Sequence, residues 1–338
     1  MSAPKEFADL PKYEDLPNIR RYWPYAANSD EEAMGMLGLM TPKYIAASAN
    51  SEIRTGERIC ITQPLQEPRE PFFGRKKFKL DISFISYPLV FDDVLTLNPQ
   101  SGSQWDGLRH HSQPISYDPS ISKETIEALD LPDRSIWYGG TKSSEIVDNT
   151  TLRIGIHKWA QKGIIGRGVL LDYAAYAEAR GIKYNCFEHT KIPLSSLLEI
   201  AQESKIEFKP GDILCIRTGT TTAYRNLDED SLRQAVTPPT AAIGIEQTPE
   251  MFKWIWDRHF PVLVSDSLAV EAFPAQDPEW SIHRICIAGW GLALGELFDL
   301  DELALHCKKL NRYTFFFNSV PLNTLGGVSS PPNAVAIF

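Results

Sequence analysis

Short apolar runs bounded by Gly, Asp or Pro recur along the chain at 58–62, 93–97, 168–171, 212–217, 262–265, 292–294 and 313–317. Several are continuous rather than alternating, which predicts strands covered on both faces. Helical stretches separate them at 123–128, 194–203, 249–257 and 301–310. Such strand–helix alternation predicts an α/β layer architecture. Nearer the start, 31–39 reads as a helix. Thr41-Pro42 then reads as an N-cap followed by a first-turn proline, opening a helix through Ser51 that closes near Thr55-Gly56. The turn Lys209-Pro210-Gly211-Asp212 hands the chain from a helix to a buried strand. No internal repeat or low-complexity linker intervenes, so 31–338 is expected to be one α/β domain. Residues 1–30, rich in Pro, Tyr and charge, read as an arm over the surface or a partner subunit.

Composition fits that picture: of 338 residues, 43% are apolar and 23% charged, enough to form an ordinary core. The net charge of −9, with Lys and Arg scattered, argues against nucleic acid or anionic membrane as partners. The one basic run, Arg75, Lys76, Lys77 and Lys79, reads as a solvated loop. Residues 1–13 contain no apolar stretch of signal-peptide length, and nowhere do about 18 apolar residues run together. Five widely spaced cysteines without a C-x-x-C pair read as reduced thiols, so a cytoplasmic setting is expected.

Candidate chemistry concentrates in 100–111, Gln-Ser-Gly-Ser-Gln-Trp-Asp-Gly-Leu-Arg-His-His, directly after a predicted strand. A loop leaving a strand end is where convergent side chains build a pocket. Asp106 and His110 offer a carboxylate oxygen and an imidazole nitrogen, both common metal donors. The plainer alternative has Asp106 capping a helix at Gly107 and His110 packed on Trp105. Trp105 and Tyr117 are either packing residues or a substrate platform. His157, His189, His259 and His306 carry no motif. Gly163, Gly166 and Gly168 lack the context of a dinucleotide fingerprint, and there is neither a Walker loop nor a G-x-S-x-G elbow.

The same segment resembles the signature His-x-Gly-Thr-His-x-Asp-x-Pro-x-His of the cyclase/kynurenine formamidase family. Gln100 and Gln104 fall on its first two histidines, Gly102 on the glycine, Ser103 on the threonine, Asp106 on the aspartate, Leu108 on the proline and His110 on the last histidine. Further segments are similar in consistent order. They are Leu37-Gly38-Leu39-Met40-Thr41-Pro42, Arg167-Gly168-Val169-Leu170-Leu171-Asp172, and the run from Gly211-Asp212 to Arg217-Thr218-Gly219. Ser265-Asp266-Ser267 and Gly295-Glu296-Leu297-Phe298-Asp299-Leu300 complete the series. The likeness extends over roughly 20–338 and is greatest to a longer, fungal-type branch with Gln-Trp-Asp-Gly in the signature.

The resemblance implies a mixed central sheet flanked by helices and a homo-oligomer, at least a dimer. It also implies a divalent metal on Asp106 with the downstream pair His283 and Glu296, and His110 as general acid/base alongside Asp106. Taken on their own, His283 reads as a helix-start residue and Glu296 as a salt-bridged strand-end carboxylate. The departures at Gln100 and Gln104 leave the metal open, because a carboxamide oxygen is a poor zinc ligand and is better tolerated by manganese. The site keeps one ion with the glutamines and Trp105 as weak ligands or substrate contacts, or it is metal-free, or it is inactive. The corresponding functions are a hydrolase or cyclase acting on an amide, lactam or ester of a small molecule, a metal-free isomerase, dehydratase or cyclase of secondary metabolism, and a binding protein.

Overall fold

The computed structural model describes residues 3–148 and 151–338. In chain order the strands that matter here are β1 (Arg58–Cys60), β2 (Lys79–Ser86), β3 (Val90–Thr96), β4 (Gln104–Asp106), β5 (Ile164–Asp172) and β6 (Ile213–Arg217). They continue with β7 (Val262–Ser265), β8 (Ala293–Glu296), β9 (Thr314–Ser319), β10 (Ser329–Ser330) and β11 (Ala334–Ile337). Nine of them form one sheet in the order β1-β11-β9-β5-β6-β7-β8-β4-β10. The centre, β5 through β8, is parallel, and both flanks are antiparallel. The expected mixed α/β sheet is therefore present. Its central strands are the continuous apolar runs: Ile213, Leu214, Cys215, Val262, Leu263 and Val264 are fully buried, as strands covered on both faces must be.

Helix α1 (Pro42–Glu52) starts as the sequence predicts, with the Thr41 hydroxyl accepting from Tyr44 N and proline in the first turn. It packs across β5 and β9. Helices α2 (Leu194–Glu203), α3 (Pro249–Asp257) and α4 (Asp301–Leu310) match their expected spans, and His283–Trp290 forms a π-helix. No helix among the described residues is long and apolar enough to cross a membrane.

Three expectations change. The stretch 31–39 is not one helix but an α-turn, Asp30–Met34, followed by a 3-10 turn, Gly35–Leu39. Gly35 adopts φ +55, and a Cβ there would lie 2.4 Å from the Gly291 carbonyl oxygen. The run 93–97 lies in β3, which pairs only with β2 in a hairpin outside the main sheet. Every residue of both hairpin strands is exposed. The segment at 100–111 is not only a loop, since its middle is strand β4. Residues 3–30 run over this chain's own helices: Trp256 Nε1 donates to Pro11 O at 2.8 Å and Trp290 Nε1 to Ile19 O at 3.1 Å.

Candidate active site

The site forms where β4 meets β8. Their register sets Gln104 opposite Glu296 and Asp106 opposite Leu294. Strand alternation then sends Gln104, Asp106 and Glu296 to one face and Trp105 to the other. Gly295 permits this fit, because a Cβ there would meet the rings of Phe298 at 2.7 Å and Trp105 at 2.8 Å. Trp105, expected as a substrate contact, is instead a core residue. It is fully buried, donates from Nε1 to Ser319 Oγ at 2.8 Å, and packs on Phe298 and Phe317.

On the site face, Gln104 Nε2 donates to Glu296 Oε2 at 2.7 Å and to Asp106 Oδ1 at 3.3 Å. Gln100 Nε2 donates to Asp106 Oδ1 at 3.0 Å and to His110 Nδ1 at 2.7 Å. A carboxylate can only accept, so each amide turns its nitrogen toward the acids. His110 Nδ1 is thereby an acceptor and its proton sits on Nε2, 3.5 Å from Asp106 Oδ2. A turn after β4, closed by His110 N donating to Gly107 O, brings the ring back over Asp106. Asp106 caps no helix.

His283 opens the π-helix, a form frequent at functional sites. Its Nδ1 lies 2.8 Å from Glu271 Oε2, which fixes the ring by accepting its proton. Nε2 lies 3.0 Å from Glu296 Oε1 and 3.5 Å from Asp106 Oδ2. Those two oxygens are buried, and their partners are imidazole Nε2 atoms alone. All three carboxylates are at most 2% exposed.

The charges respond to this crowding. Burial opposes ionisation of Asp106, yet His110 and His283 hold its carboxyl well below the usual range. Burial and the Asp106 charge push Glu296 up to about 7. Burial opposes the charge on His283, but Glu271, Asp106 and Glu296 raise it well above an ordinary imidazole. Burial, with His283 and Arg75 nearby, lowers His110.

These residues fit a divalent cation. Atoms bound about 2.1 Å from one ion stand roughly 3.0–3.4 Å apart, close to the 3.0 and 3.5 Å that separate His283 Nε2 from Glu296 Oε1 and from Asp106 Oδ2. Asp106, His110 and His283 present ligand atoms that all lie within 4.8 Å of one another.

A cleft of about 290 Å³ opens over the histidines and Glu296, walled by Phe73, Phe273 and Leu268, with Arg75 and Arg284 at its rim. Gln100 and Gln104 do not line it. They stand behind the acids, so neither is placed to touch a substrate. Three cleft residues were not picked out by the sequence. His111, beside His110, also faces the cleft, with its ring centroid 5.5 Å from that of His283. Arg75 leaves the presumed solvated run to donate to Gln100 O at 2.6 Å and Gln104 Oε1 at 3.3 Å. Glu271 had one signal, a lone acid inside the apolar run 268–272.

A search of curated proteins gives no match. Among solved structures, a crystal structure described as a novel cyclase aligns with TM-score 0.75 and 24% identity, over 92% of this chain and 97% of that one. An isatin hydrolase bound to the product analogue thioisatinate aligns with TM-score 0.51 and 15% identity, over 87% and 95%. Isatin hydrolase A from Ralstonia solanacearum gives 0.51 and 16%, over 88% and 97%. These likenesses establish a shared fold. The family model described as "Putative cyclase" matches residues 59–272, from β1 through β7 to just beyond Glu271. On that match, which takes in the whole signature segment, the chain belongs to the cyclase family.

Proposed function

We propose that the chain is a hydrolase, or a cyclase running the reverse ring closure, acting on the amide, lactam or ester carbonyl of a small molecule. One divalent cation, manganese or zinc, would be held by Asp106, His283 and Glu296. The observation that carries this is the pair of buried oxygens, Asp106 Oδ2 and Glu296 Oε1, which share His283 Nε2 as their one common partner. Uncompensated buried carboxylate is costly and calls for a cation. The fold shared with isatin hydrolases supports a hydrolase. The Gln-Trp-Asp-Gly run at 104–107 supports a place in the longer, fungal-type branch of the kynurenine formamidase-like family, where glutamine stands for the metal-binding histidines.

When bound, the cation would polarise the carbonyl and lower the pKa of a water toward about 7. The chain's own residues do the rest. Glu271 orients His283. His110, neutral because burial disfavours its charged form, would take a proton from the attacking water and return one to the leaving nitrogen or oxygen, ending as it began. Phe73 and Phe273 give a flat apolar body its walls. We further propose a homo-oligomer, at least a dimer. The support is the β2–β3 hairpin, where Ile82 is 65% and Phe91 61% exposed, since an uncovered two-stranded hairpin is marginal in water.

A metal-free reading has one observation in its favour: His283, raised well above an ordinary imidazole, can itself supply the positive charge. The deciding experiment assays metal-stripped protein on a panel of lactams, N-acyl aromatic amines and aryl esters, with and without Mn²⁺ or Zn²⁺. Turnover that needs the ion and is lost in His110→Ala is expected. Undiminished turnover in chelator favours the metal-free reading. No turnover despite tight ion binding removes the hydrolase assignment.

A further inference from the structure

Amide side chains have two ends, and at Gln104 both are engaged. We propose that Arg75 is a positioning residue that keys Gln104, and through it the acid cluster, to hold a single cation. The inference rests on the metal reading above and adds how this chain manages without the two signature histidines.

A guanidinium can only donate. Arg75 Nη1 points at Gln104 Oε1, 3.3 Å away, and is anchored on the Gln100 carbonyl oxygen at 2.6 Å. With its oxygen taken, Gln104 must present Nε2 to the acids, and it does so to Glu296 Oε2 and Asp106 Oδ1. Gln100 Nε2 adds a second donor to Asp106 Oδ1. Each carboxylate therefore has one oxygen satisfied by an amide N–H, and only its other oxygen, Asp106 Oδ2 or Glu296 Oε1, left for an ion.

Where imidazoles at 100 and 104 would supply lone pairs to a cation, the glutamines supply N–H groups that repel one. The amide oxygen of Gln104, its one donor atom for a metal, faces Arg75 instead. A second ion has no ligands on this side. The Arg75 guanidinium lies over the Phe73 ring, its Cζ 5.1 Å from the centroid.

The test uses the full chain as wild type, Arg75→Met and Arg75→Lys, read in two ways. In metal-free protein, NMR follows solvent exchange of the Gln104 side-chain NH₂, assigned by its loss in Gln104→Leu. Mn²⁺ binding is then titrated by electron paramagnetic resonance. Wild type is expected to show a protected amide and one Mn²⁺ per chain. Arg75→Met should lose the protection and weaken Mn²⁺ about 10- to 100-fold, as loss of an orienting partner does, while Arg75→Lys restores part of both. Gln100→His with Gln104→His should take up a second ion. Unchanged amide protection and unchanged affinity in Arg75→Met overturn the proposal, as does a wild-type stoichiometry of two. A wild type that binds no Mn²⁺ removes the metal reading alone, and the amide exchange still decides the role of Arg75. Should Arg75→Met fail to fold, the same two readings on Arg75→Lys, against Gln104→Leu, make the decision.

Discussion

The two ends of the central sheet both bury charge, and they handle it in opposite ways. At the amino ends of β5 and β6, Arg167 Nη1 donates to both oxygens of Asp212 at 2.8 and 2.7 Å, and Arg167 Nε to Glu52 Oε1 at 3.2 Å. Arg312 and Thr314 complete Glu52, and Lys209 N completes Asp212. Two acids face two arginines, and every carboxylate oxygen accepts. At the carboxyl end of β8, Asp106, Glu271 and Glu296 converge on one imidazole, His283, and two of their oxygens share its Nε2 as their one common partner. Burial is the same at both ends, so burial alone does not mark function. The balance of donors and acceptors does: the first cluster has an arginine for each acid, and the second has one imidazole shared among three acids.

Substitutions at the two ends should therefore fail in different ways. The largest effect is expected from Asp106→Asn, which removes the carboxylate shared by both histidines. Calorimetric titration should show ion binding lost, while thermal melting of the metal-free protein stays near wild type. Arg167→Met should do the reverse, leaving Glu52 and Asp212 buried without their shared partner. It should cost about 3–5 kcal/mol in denaturant unfolding, with ion stoichiometry unchanged. Trp105→Ala belongs with Arg167→Met, at about 3–5 kcal/mol for an emptied aromatic site. A selective loss of substrate affinity in Trp105→Ala, without loss of stability, would return that ring to the active site.

Smaller effects sharpen the same contrast. An ion that completes the cluster should stabilise the fold by about 2.7 kcal/mol at 100 times its Kd. Melting measured with Mn²⁺ or Zn²⁺ tests this, and Asp106→Asn should abolish the gain. Glu271→Gln keeps a hydrogen-bond acceptor for His283 but removes its charge. Ion affinity should fall by about 10- to 100-fold, read by competition with a chelating dye.

Much of the fold could be read from the chain, because runs such as 213–216 and 262–264 are apolar without interruption and short, as strands covered on both faces are. The site was reached differently. Nothing near His283 or Glu296 announces Asp106, and it was the family resemblance that joined segments nearly two hundred residues apart. What escaped the sequence has physical reasons. Strand β4 is only three residues long, Gln104 to Asp106, so it is too short to show alternation. Its pairing with β8 decides that Trp105 faces the core. Arg75 hides in a basic run whose other lysines are exposed. The direction of an amide, which separates a glutamine that binds a metal from one that repels it, is set by a neighbour 29 residues away in the chain.

The most direct measurement is anomalous diffraction at the zinc edge from crystals of the protein grown with Zn²⁺. The account predicts a single peak per chain, about 2.0–2.2 Å from its ligand atoms, bound by Asp106 Oδ2, His283 Nε2 and Glu296 Oε1. Gln100 and Gln104 should remain turned with their nitrogens to the acids. A peak coordinated by the glutamine oxygens, or a cluster that stays without an ion at saturating Zn²⁺, would contradict it.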